Sequence, residues 1–139
     1  GEIGHTQLDP NGTKCFCGRQ GCAETLLSGR GLETWYAARF GDPLFAMQIF
    51  DRAEMLDKNA MEAVQIYRNY LDQFMLNLIN FFDPDYIVLG GGVSLQLAIY
   101  HGLEDRVWKQ TFIPNTKPRI YQNILGDSGG VIGAALLVP

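Results

Sequence analysis

The sequence has no long hydrophobic run and no cluster of charge of one sign. None of its apolar stretches approaches the ~20 residues that a membrane-spanning helix needs, and no positively charged segment followed by an apolar one opens the chain. The 11 lysines and arginines are scattered, and the net charge is −4. This distribution gives no positive surface for nucleic acid or anionic lipid. We therefore predict a cytoplasmic protein that contacts neither membrane nor nucleic acid.

The sequence also lacks an initiator methionine, an internal repeat and a low-complexity segment. A length of 139 residues suffices for one hydrophobic core, so a single domain is the simplest expectation. Motif residues stand at the very first positions, with no methionine before them. We therefore expect a fragment of a longer protein whose N-terminal domain is absent.

Cysteine is scarce, and all three cysteines stand in one short stretch. Cys15, Cys17 and Cys22 follow His5, and one imidazole with three thiolates is the ligand set of a closed tetrahedral zinc site. An odd count leaves one cysteine unpaired in any disulfide scheme, and a bridge between Cys15 and Cys17 would close a very short, strained ring. We predict a zinc ion held by these four residues, with buried or reactive free thiols as the alternative. Because four protein ligands leave no open position, the zinc would be structural.

Apolar residues recur every three or four positions in several segments, which predicts amphipathic helices. Asn59 is the expected N-cap of the longest one, with Glu62 three residues later as its partner in a capping arrangement. This helix carries an aromatic stripe, which is typical of a core or a subunit interface and consists of Tyr67, Tyr70, Phe74 and Phe81. Residues 1 to 23 are expected to form an irregular loop around the metal. The predicted helices cover residues 24 to 40 with a break near 28 to 31, 44 to 56, 59 to 82, 94 to 109 and 131 to 138.

Two short segments, residues 86 to 89 and 119 to 123, predict strands. The first is almost wholly apolar, as expected for a buried parallel strand. Each segment precedes a glycine-rich turn, at residues 90 to 92 and 126 to 130 respectively. The order helix, strand, turn, helix, strand, turn, helix predicts an α/β layer over residues 25 to 139.

Five motifs follow one another along the chain: residues 2 to 5 (EIGH), 15 to 24 (CFCGRQGCAE), 28 to 31 (SGRG), 83 to 94 (DPDYIVLGGGVS) and 126 to 135 (GDSGGVIGAA). In sequence and in order they resemble the motifs of the ROK family, which comprises bacterial sugar kinases and sugar-responsive repressors. The resemblance covers essentially the whole chain, and it is most similar to the fructokinase and N-acetylglucosamine kinase branches.

The resemblance implies the C-terminal part of an actin-like ATPase, or ribonuclease H-like, α/β fold in which two domains close over a sugar and ATP. Residues 1 to 24 would then form a loop that binds both zinc and sugar. Glu2 and Glu24 would accept hydrogen bonds from sugar hydroxyls, and His5 would bind zinc through one ring nitrogen and face the sugar with the other. Apart from the resemblance, a glutamate near a loop is usually just solvated.

The resemblance also implies a nucleotide site at the first glycine turn. The backbone of Gly90, Gly91 and Gly92 would approach ATP at the carboxyl end of a strand, where ligands bind in open α/β sheets. A tight turn into the next helix is the alternative explanation of these glycines. Residues 127 to 130, at a helix start, are a second candidate for facing an anion or the interdomain cleft.

The function implied is an ATP-dependent kinase for a hexose or an N-acetylhexosamine, of the fructokinase, N-acetylglucosamine kinase or glucokinase type. It would use ATP and Mg²⁺ and form a homo-oligomer, most simply a dimer. The family's catalytic aspartate and its two phosphate-binding loops match nothing in this sequence, so the 139 residues alone should not phosphorylate sugar. The alternatives are the sugar-sensing domain of a ROK repressor and a zinc-stabilised domain without catalysis.

Overall fold

A computed structural model describes residues 2 to 112, 117, 119 to 126 and 129 to 137. The chain separates into two compact units, Gly1–Asn77 and Leu78–Pro139. No helix in these described ranges is long and apolar enough to cross a membrane. The helices are α1 (Ala23–Leu27), α2 (Gly29–Phe40), α3 (Ala46–Glu54), α4 (Lys58–Phe82), α5 (Leu103–Trp108) and α6 (Gly129–Ala135), and the strands are β1 (Tyr86–Leu89) and β2 (Arg119–Gln122).

The helix boundaries of the first unit follow local capping chemistry. Ser28 separates α1 from α2, and its hydroxyl accepts the Gly31 N–H at 2.9 Å as the N-cap of α2. Gly41 ends α2 in the left-handed conformation at φ 70°, with its N–H donated to the Ala37 carbonyl. The break near residues 28 to 31 and the helix end at residue 40, both expected from the sequence, are therefore confirmed.

The expected cap of α4 is wrong. Asp57 provides it, because its Oδ1 accepts the Ala60 N–H at 2.9 Å, and α4 already includes Asn59. Glu62 is engaged elsewhere: its carboxylate accepts two hydrogen bonds from the Arg39 guanidinium of α2, the shorter one at 2.7 Å. The reason is that an aspartate two residues earlier can make the same side-chain bond to the first free N–H groups of the helix.

The core of the first unit lies between α2, α3 and α4. The Tyr67 ring meets the Phe50 ring edge to face at a centroid distance of 5.9 Å. The Tyr67 hydroxyl donates to the Leu27 carbonyl at 2.9 Å and so holds the end of α1. Part of the predicted aromatic stripe is thus core. The most buried side chains here are Leu32, Tyr36, Ile49, Phe50, Ala60, Ala63, Tyr67, Leu71 and Met75.

The second unit contains a parallel pair of strands, β1 and β2, in which Ile87 is opposite Ile120. The prediction that β1 is buried is wrong for the described residues, because Tyr86 is 63% exposed and Val88 is 54% exposed. Parallel strands are buried when helices or further strands cover them, and here one face of the pair is open. Helix α5 is linked to β2 by one hydrogen bond, in which Glu104 Oε1 accepts the Ile120 N–H at 2.8 Å.

The segment from 94 to 109 is not the continuous helix that the sequence predicts. It forms two short 3₁₀ turns, Gly92–Leu95 and Leu97–Ile99, and then α5. Gly102 interrupts the helix because it adopts the left-handed conformation at φ 66°. The helix expected from residue 131 begins two residues earlier, at Gly129, and ends at Ala135.

Candidate functional site

The cysteine-containing loop is folded back on itself by short antiparallel contacts. Gln7 pairs with Cys22, and Lys14 pairs with Gln20. At the tip, the Cys15 N–H donates to the Arg19 carbonyl at 2.7 Å. The loop therefore has a defined backbone path even though it contains no regular strand.

Gly21 is the tightest point of this path. Its φ is +59°, and a Cβ placed on it would lie 1.6 Å from the Asp9 carbonyl oxygen. Its own carbonyl accepts the N–H groups of Leu8 and Asp9 at 2.8 and 3.2 Å. No other residue type fits here without moving the chain, since side-chain carbons do not approach closer than 3.0 Å.

Contacts with α4 hold the base of the loop in place. The Tyr70 hydroxyl donates to Asp9 Oδ2 at 2.9 Å across 61 positions of sequence. Next to this hydrogen bond lies a small apolar cluster that joins the loop, α1 and α4. It consists of Leu8, Ala23 and Leu26 with Leu27, Tyr70 and Phe74 packed against them.

The side chains of His5, Cys15, Cys17 and Cys22 converge. Their ligand atoms all lie within 4.8 Å of one another, with His5 Nδ1 and Cys15 Sγ 3.6 Å apart and the sulfurs of Cys17 and Cys22 also 3.6 Å apart. Zinc bonds of about 2.3 Å to sulfur and about 2.0 to 2.1 Å to nitrogen give tetrahedron edges of about 3.5 to 3.8 Å. The four predicted ligands therefore form a group that could hold a tetrahedral metal ion.

The sulfurs differ in environment and in proton affinity. Cys15 and Cys22 are buried, whereas Cys17 is exposed. Hydrogen bonds from the backbone and then the side chain of Arg19 lower the pKa of the Cys17 thiol to about 6. Burial, followed by the neighbouring thiols, raises the pKa of Cys22 to about 11. A soft divalent cation would supply the positive charge that a buried thiolate at Cys22 needs.

The predicted sugar-binding residues stand around the same cluster. His5 ends a short 3₁₀ turn, and its N–H donates to the Glu2 carbonyl at 3.1 Å. Glu24 lies in the first turn of α1, and its Oε2 lies 3.4 Å from where a Cβ would project from Gly4. The carboxylates of Glu2 and Glu24 belong to exposed residues. Since Nδ1 of His5 faces the sulfurs, Nε2 is the ring nitrogen that remains for another partner.

Comparison with known proteins identifies the family. The family model described as "ROK family" matches residues 1–139. The chain belongs to the ROK family. Among curated relatives, the N-acetyl-D-glucosamine kinase of Aliivibrio fischeri is 37% identical over 147 aligned residues, covering 99% of this chain and 48% of that protein. The chain spans about half the length of the curated relatives it matches.

Solved ROK structures resemble the chain closely. The ROK hexokinase from Thermus thermophilus matches with a TM-score of 0.83 and 32% identity, over 98% of this chain and 46% of that one. A ROK glucokinase from Streptomyces griseus, solved in complex with glucose and AMPPNP, matches with a TM-score of 0.77 and 25% identity, over 98% and 50%. These neighbours imply the actin-like ATPase fold, of which this chain provides a helix-rich α/β part with a small sheet.

In the second unit of this ROK chain, the glycine turn after β1 is exposed. Gly91 has φ 84° and ψ 173°, a region that is essentially restricted to glycine, and its carbonyl accepts the Ser94 hydroxyl at 2.6 Å. A Cβ on Gly92 would have no described atom within 4 Å, so packing within the described residues does not require glycine there. The backbone at residues 90 to 92 is therefore open to approach.

Asn123 is a residue of this turn region that the sequence did not single out. It follows β2, and its amide donates to the Gly126 carbonyl at 2.9 Å and accepts the Leu125 N–H at 2.9 Å. Its Nδ2 is also the nearest atom to a Cβ placed on Gly90 or Gly129. The sequence signal that could have identified Asn123 is its position at the end of a predicted strand. Asp127 and Ser128, the start of the second candidate anion site, lie outside the described residues.

Proposed function

We propose that the chain is the sugar-binding half of an ATP-dependent kinase for a hexose or an N-acetylhexosamine. The observation that carries this proposal is the arrangement around His5. The Nδ1 atom of His5 faces the Cys15 sulfur, and Nε2 has no hydrogen bond within the described part of the chain, while the Glu24 carboxylate lies beside the same 3₁₀ turn. The sugar kinase activity named for the relatives agrees with it.

In the proposed site, Glu2 and Glu24 accept hydrogen bonds from sugar hydroxyls, since a carboxylate is an acceptor at both oxygens. His5 contributes Nε2 to the sugar. Zinc bound to His5, Cys15, Cys17 and Cys22 would fix the tautomer and the orientation of the imidazole. These groups orient the sugar so that one hydroxyl is presented to the phosphate donor.

Phosphoryl transfer joins the sugar oxygen to the γ-phosphorus of ATP, breaks the bond from that phosphorus to the β,γ-bridging oxygen, and releases ADP. The hydroxyl proton passes to a base that we place outside the 139 residues, together with the Mg²⁺-dependent phosphate contacts. The turn at residues 90 to 92 is the proposed contact of this chain with the nucleotide, because the backbone there is exposed.

The test is a pair of conservative variants in the full-length kinase. Glu24→Gln removes the charge and one acceptor, and hydrogen bonds to charged groups contribute about 1.5 to 3 kcal/mol, so we expect sugar affinity to fall at least tenfold. Glu54→Gln, at the exposed C-terminal end of α3, is the matched control. Calorimetric titration with N-acetylglucosamine, glucose and fructose measures both variants. Unchanged affinity in Glu24→Gln would refute the assigned role.

The repressor alternative is not favoured, because curated relatives such as those of Aliivibrio fischeri and Pectobacterium carotovorum are N-acetyl-D-glucosamine kinases. ATP-dependent release of ADP in the presence of sugar distinguishes the two functions directly. The cytoplasmic location and the dimer stay predictions, and the identity of the sugar is to be read from the same titrations.

A further inference from the structure

Phe16 is a large apolar side chain in an unusual position. It stands between the two metal-ligand candidates Cys15 and Cys17, and it is 85% exposed. The backbone on both sides of it is fixed, since the Cys15 N–H donates to the Arg19 carbonyl and the Gly18 N–H donates to the Cys15 carbonyl. The fold therefore presents this phenyl ring to the outside from a well-defined backbone, without burying it in the described core.

The Phe16 ring lies against the imidazole of His5. The ring centroids are 4.9 Å apart, and the ring planes meet at 83°, which is the edge-to-face geometry that aromatic pairs prefer. This contact leaves most of the phenyl surface free, as its exposure shows. An apolar surface thus borders the residue that offers Nε2 to the proposed sugar site.

A sugar-binding site needs both kinds of surface. Hydroxyl groups at the rim of a hexose ring require acceptors and donors, which Glu2, Glu24 and His5 provide. The C–H groups on the faces of the ring are apolar, and ligand sites are lined mostly by apolar and aromatic side chains with a few polar groups that fix orientation. Glu2, Glu24 and His5 alone provide no apolar surface for these C–H groups.

We propose that the phenyl ring of Phe16 is the apolar wall of the sugar site and stacks on a C–H face of the hexose or N-acetylhexosamine ring. This inference rests on the proposed function and adds a residue that determines sugar affinity. The aromatic ring adjoining His5 gives the sugar a surface on which to lie while the carboxylates hold its hydroxyls.

Three variants of the full-length protein test the proposal: Phe16→Ala, Phe16→Leu and Phe16→Tyr. Removal of an aromatic contact and its buried area predicts an affinity for N-acetylglucosamine or glucose that is about tenfold weaker in Phe16→Ala. Phe16→Leu should lose most of the same affinity because it lacks the flat ring, and Phe16→Tyr should stay within about threefold of the original. Phe45→Ala is the matched control, since Phe45 is 71% exposed at the start of α3.

Calorimetry with each sugar, zinc content and ATP affinity are measured on every variant. The proposal requires sugar affinity to fall in Phe16→Ala and Phe16→Leu while zinc content and ATP affinity hold. Sugar affinity within twofold of the original in Phe16→Ala would overturn it, and so would a loss that follows zinc content across the three variants. If the unsubstituted protein binds sugar without turning over ATP, the kinase proposal fails and the Phe16 comparison still stands. If it binds no sugar, both fail.

Discussion

Replacement of Gly21 by alanine should disrupt the loop, and replacement of Gly18 by alanine should not. Both glycines have positive φ, +59° at Gly21 and +91° at Gly18. They differ in what a Cβ would meet. At Gly18 no described atom lies within 4 Å, whereas at Gly21 the Asp9 carbonyl oxygen lies at 1.6 Å. The pair therefore separates backbone strain from steric exclusion in one loop.

The magnitudes follow from these contacts. An alanine in the left-handed region costs roughly 1 to 2 kcal/mol, which is the whole expected effect at Gly18. At Gly21 the chain must also open by about 1.4 Å, from 1.6 Å to the 3.0 Å below which side-chain carbons are not found. That movement breaks the hydrogen bonds that the Gly21 carbonyl accepts from Leu8 and Asp9, each worth about 1 kcal/mol. We expect Gly21→Ala to cost about 3 to 4 kcal/mol.

Urea unfolding followed by circular dichroism gives the free energy of unfolding of each variant, and competition with a chromogenic chelator reports how firmly each retains zinc. Gly21→Ala should be at least about 1.5 kcal/mol less stable than Gly18→Ala and should release metal faster, because the loop that carries Cys22 is displaced. Equal stability of the two variants would show that the close approach of Asp9 and Gly21 does not constrain the loop.

Two further predictions concern the metal and the cap of α4. Freshly purified protein should contain close to one equivalent of zinc by elemental analysis, and less than about half an equivalent would count against the site. Dialysis against a strong chelator should speed hydrogen exchange at the Cys15 and Gly18 amides and leave the Ala23 amide protected, since Ala23 begins α1 and its N–H donates to the Thr6 carbonyl at 2.9 Å. Asp57→Ala should lower the free energy of unfolding by about 0.5 to 2 kcal/mol, whereas Asn59→Ala should change it little. Equal effects of the two substitutions in thermal unfolding would contradict the observed cap.

The sequence predicts well which four side chains converge, because they are close together in the chain. His5 and the three cysteines fall within 18 consecutive residues, so the spacing and the intervening glycines already restrict how the chain can turn. The stop at Gly41 is equally local, since a single left-handed residue ends the helix. Features that depend on a few neighbouring residues can therefore be predicted from the sequence pattern.

Long-range contacts explain what the sequence did not predict. Tyr70 belongs to an aromatic stripe that indicates a core, but its hydrogen bond to Asp9 depends on how α4 packs against a loop 61 positions away. Asp57 and Asn59 are both good capping residues two positions apart, and the pattern does not rank them; Glu62, the expected partner of Asn59, pairs with Arg39 of another helix. Helix ends are the part of a helix that a local pattern predicts least well.

The loop is held at two levels, and these have different consequences for function. Its base is fixed by protein contacts alone, through Gly21 and the hydrogen bond from Tyr70 to Asp9. The side chains of His5 and Phe16 adjoin the cysteine cluster, and the proposed metal would hold His5 together with the three cysteines. Because His5 and Phe16 are proposed to face the sugar, loss of metal should impair sugar binding more than it impairs folding of the first unit. In this proposal the same side chain, His5, binds the metal and contacts the sugar, so sugar affinity should depend on metal content.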